Sequence, residues 1–172
     1  SVSGPTIAAK LATFVADLTP QQIPAAVLER ARHLILDSVG IAHASTHYDF
    51  AHRSLSAMTE LSAGAGDTPV IGLAAKLSFR DAMLMNGILI HGLDYDDTHA
   101  AGVSHATATT FPCALGSAAQ AGLDGEALLT AYVAGMEVGT RLASVAKGGF
   151  HQVGFHPTGL IGAFSCALVA GR

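Results

Sequence analysis

Tryptophan is absent from this chain, and the aromatic residues together make up 6% of it. A core short of large rings is built from Ala, Leu, Val, Ile and Gly, whose small side chains let helices approach closely. Charge is scarce too: 13% of residues are charged, Lys and Arg number 9, and the net charge is −4. With no basic stripe to meet phosphates, nucleic acid and anionic membranes are not expected partners. Cysteine occurs twice, as Cys113 and Cys166, without CxxC spacing. That excludes a disulfide framework and predicts buried, reduced thiols in a cytoplasmic protein. No run approaches the ~18 uncharged apolar residues that span a bilayer. The opening "SVSGPT" has no charged segment leading into an apolar one, so no signal or transit peptide is expected.

What the chain has in quantity is apolar surface. Hydrophobic residues make up 50% of the sequence, and the mean hydropathy is +0.43. The excess is expected to meet other protein, either a second subunit or a further part of the same polypeptide. A length of 172 residues suits one domain.

Periodicity predicts helices almost throughout. Ile7, Leu11, Phe14, Val15 and Leu18 recur at helical steps over residues 6–18, and Val27, Leu28, Ala31, Leu34, Ile35, Ser38 and Val39 do so over 24–44. A third helix is expected over 48–61, followed by a "SAGAGDTP" turn and a short extended "VIGL". Ser78 and Asp81 resemble a capping box that starts a nearly all-apolar helix running to Leu93. "TATTFPCALGSAAQAG" reads as a small-residue helix with Pro112 in its first turn and Gly122 at its end. "LDGEALLTAYVAGMEVGTRLASVAKG" opens acidic and closes with Arg141 and Lys147, the polarity a helix dipole favours. "HPTGLIGAFSCALVAG" starts a last helix behind Pro157. The expected fold is an all-α multi-helix bundle of about six or seven helices, a single helical domain over 1–172.

The polar residues are concentrated in "GLDYDDTHAAGVSHAT", residues 92–107. A helix continued past residue 93 would put Asn86, Ile90, Asp94 and Thr98 on one stripe. Asp94, Asp96 and Asp97 cannot all be buried, because an unpaired carboxylate in a core is costly. Asp96 and Asp97 are expected to cap the turn or face solvent. His99 and His105 can act as acid or base near neutral pH. "GGFHQVGFHPTG" brings His151 and His156, the latter just outside a helix N-terminus that suits an anionic ligand. His33, His43, His47 and His52 read as ordinary histidines. Metal ligation is not expected, since HExxH, CxxC and EF-hand spacings are all missing. The same holds for a P-loop and for a GxSxG nucleophile.

"NGILIHGLDYDDTH", "SHAT" and "GFHPTG", with "ILDSVG" upstream, resemble the MmgE/PrpD family. That resemblance implies lyase or isomerase chemistry without a metal or cofactor on small di- and tricarboxylic acids: dehydration of 2-methylcitrate, decarboxylation of cis-aconitate or epimerisation of iminodisuccinate, dehydration being slightly favoured. It implies a helical domain joined to a smaller lid, usually in a homodimer, with this chain an incomplete part of such a protein. Matched by motif, Asp94, Thr98, His105 and His156 correspond to active-site positions. His105 would exchange a proton at substrate carbon, His156 hold a carboxylate, Asp94 orient an imidazole and Thr98 donate to substrate oxygen. Asn86 and His99 complete the expected substrate contacts. A second possibility is a non-catalytic helical binding or assembly subunit that needs a partner chain. A third is a metal-dependent hydrolase using the Asp and His cluster.

Overall fold

A computed structural model describes residues 4–62 and 66–172. The turn expected over 62–69 lies partly outside them. Eight α-helices are present among the described residues: α1 Ile7–Asp17, α2 Ala25–Ser45, α3 Asp49–Leu61, α4 Phe79–His91, α5 Ala106–Ala121, α6 Gly125–Val145, α7 Gly149–Gln152 and α8 Pro157–Ala170. The all-α bundle is thus as expected, with the four-residue α7 as the element that periodicity does not reveal. No described helix is long and apolar enough to cross a membrane.

The ends of the helices follow local chemistry. Thr6, Ser78 and Asp124 accept the first free N–H groups of α1, α4 and α6 through their side-chain oxygens. Such caps are worth about 1 kcal/mol each. Gly122 ends α5 in the left-handed conformation at φ 66°. At the end of α6 the expected basic turn is not formed: Arg141 pairs with Glu137 one turn back, and Lys147 lies past the helix at φ 48°.

Three sequence readings are corrected. "VIGL" is not a strand; the antiparallel pair is β1 Thr68–Pro69 with β2 Lys76–Leu77, and residues 70–75 turn between them. Gly72 at φ 72° makes that turn possible. Pro112 is not in a first turn but inside α5, because the helix starts as early as Ala106. Its ring is fully buried, so packing outweighs the backbone bond that proline cannot donate. Finally, α4 stops at His91, with Gly92 at its C-cap. A side chain at Gly92 would lie 2.3 Å from the Phe50 ring, which fixes glycine at this point.

The centre of the bundle is α5, packed against α2, α4, α6 and α8. Met85, Leu89 and Ile90 of α4, Phe111 of α5 and Tyr132 of α6 are among the buried residues of the main core cluster. Full burial of each aliphatic side chain contributes roughly 1.5–3 kcal/mol. Several buried hydroxyls are paired: Ser45 Oγ donates to Leu89 O at 2.5 Å, Thr107 and Tyr132 bond at 2.8 Å, and Thr110 donates to Ser165 at 3.4 Å, whereas Ser104 Oγ and Ser117 Oγ have no partner among the described residues. Small residues set the spacing, since a Cβ at Gly135 would come within 2.5 Å of Val169 and 2.6 Å of Thr110. The two thiols are free, Cys113 buried and Cys166 half-buried between α5 and α8.

Candidate active site

The close of α4 and the starts of α5 and α8 meet at one end of the bundle. His91 is the last residue of α4, His105 is the N-cap of α5, and His156 is the N-cap of α8. Their rings form a triangle, with centroids 4.9 Å apart for His91 and His105, 6.0 Å for His91 and His156, and 6.1 Å for His105 and His156. His151 of α7 extends the group, 5.5 Å from His156. The two helix starts are tied together directly, as the N–H of His105 donates to Thr158 Oγ1 of α8 at 2.9 Å.

Asp96 is the carboxylate of the group. Its side chain is 0% exposed, with Oδ1 at 3.0 Å from His91 Nδ1 and 3.4 Å from His105 Nδ1. The expectation that Asp96 faces solvent or caps a turn is overturned: a carboxylate at the end of a charge-poor core is held there by a hydrogen bond with His91 Nδ1, with the His105 ring alongside. Asp94, expected to orient an imidazole, has a side chain 79% exposed and approaches His105 Nε2 only to 3.8 Å. The chain after Gly92 turns it outward through a left-handed φ of 56°. Thr98 Oγ1 lies 3.5 Å from His105 Nδ1, so Thr98 does join the group.

Asn86 and His99 do not. Asn86 Oδ1 accepts from Ile71 N at 2.8 Å and its Nδ2 donates to Pro69 O at 3.5 Å, pinning the β1–β2 turn to α4. The stripe that joined it to Asp94 and Thr98 required a helix that ends at His91. His99 pairs with Ser104 across a β-bridge, and its Nδ1 accepts from Gly102 N at 3.2 Å. Its ring lines a surface depression with Thr140, Arg141 and Ser144 on α6.

Asp97 has a different function from either expected role. Its carboxylate approaches the N–H and hydroxyl of Thr107, the second residue of α5, where His105 provides no side-chain cap. Oδ1 is buried and has no hydrogen-bond partner among the described residues. Burial first, and then the charge of Asp96, raises its pKa, while Thr107 works the other way. A raised carboxylate pKa adds stability that is complete below the unfolded value of about 3.9 and is lost as pH rises through the folded value. Asp97→Asn keeps an acceptor for Thr107 and removes the charge. It is expected to match or exceed the parent in urea stability at pH 7, with the difference shrinking toward pH 4. Asp97→Ala loses the acceptor and is expected to cost about 1 kcal/mol. A loss for Asp97→Asn equal to that of Asp97→Ala would contradict the assignment.

The loop stores strain at Val103, a β-branched residue at φ 48°. Asparagine tolerates this conformation far better. Val103→Asn is therefore expected to gain about 1 kcal/mol in urea unfolding. An unchanged or lower midpoint would show that the loop has relaxed another way.

His156 is held in its neutral form to lower pH than a free imidazole, by burial first and then by His151, His91 and His105. A neutral ring at a helix N-terminus can accept a proton or a hydrogen bond, and the free N–H groups beside it favour negative charge.

Sequence reasoning missed His91 and the burial of Asp96. The signal was an imidazole closing the apolar run "NGILIHG", five residues before an aspartate, so that a short reversal of the chain brings the two together.

A family model described as the MmgE/PrpD N-terminal domain matches residues 9–172. The chain is 31% identical over 153 residues to a cis-aconitate decarboxylase-like protein of Aspergillus oryzae, a match covering 83% of this chain and 31% of that protein. It is 26% identical to a cis-aconitate decarboxylase of Aspergillus terreus, covering 96% of this chain and 35% of the relative. To the cis-aconitate decarboxylase of Homo sapiens it is 28% identical, with 97% and 36% covered. The chain thus spans about a third of the length of these relatives.

Proposed function

The chain belongs to the MmgE/PrpD family, and from this premise we propose that it forms part of a lyase acting on a small di- or tricarboxylate by proton transfer next to a carboxylate. The observation that supports this reading most directly is the triangle of His91, His105 and His156 around buried Asp96 at the paired starts of α5 and α8. Two helix N-termini favour the carboxylates of the substrate, and the imidazoles supply the acid and base.

His105 is the proposed proton carrier. Asp96 accepts from its Nδ1–H and leaves Nε2 directed toward the open side, where Asp94 stands. His91 shares Asp96 and fixes its position. His156, kept neutral, accepts a hydrogen bond or steadies a substrate carboxylate, and Thr98 donates to a substrate oxygen. The names of the relatives favour decarboxylation over the dehydration or epimerisation also known in the family. In that reaction the bond between carbon and carboxylate breaks, CO2 leaves, and the remaining electron pair takes a proton from the His105 imidazolium. The chain spans about a third of the length of these relatives, and its excess apolar surface suits a homodimer.

The test is proton NMR of the full-length protein in D2O with cis-aconitate, 2-methylcitrate and iminodisuccinate in turn. Deuterium should enter one product at carbon next to a carboxylate, and His105→Ala should abolish it. Ligand shifts without exchange for every substrate would favour a binding subunit instead.

A further inference from the structure

We propose that His91, Asp94, Asp96 and His105 form a binding site for a divalent transition-metal ion, Zn2+ being the type. One donor atom from each residue lies within 4.8 Å of all the others. A tetrahedral Zn2+ site with bonds of about 2.0–2.2 Å places its donors roughly 3.3–3.5 Å apart. Asp96 Oδ1 already stands 3.0 Å from His91 Nδ1 and 3.4 Å from His105 Nδ1. The two distances from Asp96 are therefore within a few tenths of an ångström of that spacing, and the remaining donor separations are no more than 4.8 Å.

The fourth can move to meet them. Asp94 sits on the exposed loop, its side chain 79% exposed and its carboxylate 3.8 Å from His105 Nε2. As an exposed side chain outside the core, it can change rotamer to swing from the Nε2 edge of the His105 ring toward the other donors. The site also has a built floor: the Asp96 side chain is 0% exposed and holds Oδ1 against the Nδ1 atoms of both imidazoles. The ring planes of His91 and His105 are tilted by 50°, so their nitrogens converge on that carboxylate rather than stacking away from it.

The donor set defines the class of ion. Two imidazoles with two carboxylates suit Zn2+, Co2+ and Ni2+, whereas Mg2+ and Ca2+ take oxygen ligands. Missing spacing signatures conceal such a site, because its ligands come from a helix end, a loop and the cap of the next helix. An ion bound to Nδ1 of His105 takes the place of the hydrogen directed at Asp96 and leaves the ring's hydrogen on Nε2, so Nε2 loses the lone pair that the proposed proton transfer requires. Bound Zn2+ is thus an inhibitor in this scheme, and that consequence alone rests on the proposed function.

The binding itself is tested without substrate. Metal-stripped protein is titrated with Co2+ while visible absorption is followed, and Zn2+ is then added to displace it. The expected result is one equivalent of Co2+ with the intense d–d bands of four-coordinate geometry, lost on addition of Zn2+. Asp94→Asn, which keeps a residue tolerant of the left-handed backbone, and His91→Gln should each weaken binding at least about tenfold. Cobalt that keeps the weak spectrum of its hydrated ion, or binding that neither variant weakens, overturns the proposal. Either result leaves the lyase reading standing, since deuterium exchange is measured separately.

Discussion

Asp96→Asn is expected to lower kcat of the proposed reaction by about 10²–10⁴-fold while the protein stays folded. The carboxylate of Asp96 faces the Nδ1 atoms of His91 and His105 at 3.0 and 3.4 Å. As an acceptor it selects the tautomer with hydrogen on Nδ1 and leaves Nε2 free to take a proton. An asparagine of the same shape can present its NH2 to the same nitrogens, and then Nε2 carries the hydrogen and the base is lost. The change also removes the charge that stabilises an imidazolium once formed. Steady-state kinetics on the full-length enzyme, with far-ultraviolet circular dichroism as the folding control, measures this. A kcat within threefold of the parent would mean that His105 is oriented by some other group.

Gly135→Val should have the largest effect on stability, a loss of about 3 kcal/mol. Helix α6 meets α5 and α8 at this residue, where a Cβ would stand 2.5 Å from Val169 Cγ2 and 2.6 Å from Thr110 Cγ2. Both neighbours are β-branched side chains on packed helices, and neither can rotate out of the way cheaply. Gly135→Ala has a milder expected outcome, because alanine's helix propensity offsets part of the clash by up to ~1 kcal/mol. The urea midpoints of both variants measure the effect. A Gly135→Val protein within 1 kcal/mol of its parent would show that α5 and α8 can splay without penalty.

The contrast between what was legible in the sequence and what was not has a physical pattern. The end of α5 at Gly122 and the start of α8 behind Pro157 were readable because each depends on one residue's backbone preferences. His105 and His156 were readable as candidates because their motifs carry them, and the structure brings their rings to 6.1 Å of each other. The start of α5 was not readable, since its capping interaction comes from Asp97, ten residues ahead of Thr107 in sequence. Asn86 was misplaced by arithmetic that carried a helix through Gly92, where contact with Phe50 and the left-handed turn at Asp94 end it. Asp96 was misread because an aspartate in a turn has the same local pattern whether it faces water or two imidazoles. Only the packing of α4 against α5 decides between the two.

The hydrogen bond from His105 N–H to Thr158 Oγ1 has a consequence for dynamics. It joins residues that are 53 apart in sequence, on the first turns of two different helices. The amide of a loop residue is thereby closed to solvent exchange for as long as α5 and α8 stay paired. Breathing of one helix against the other would open this bond and move the His105 ring away from Asp96 in the same event. The lifetime of the helix pair thus sets an upper limit on how long the imidazole geometry persists, so rigidity in the small-residue seam and readiness at the proton-transfer centre are one property of the molecule.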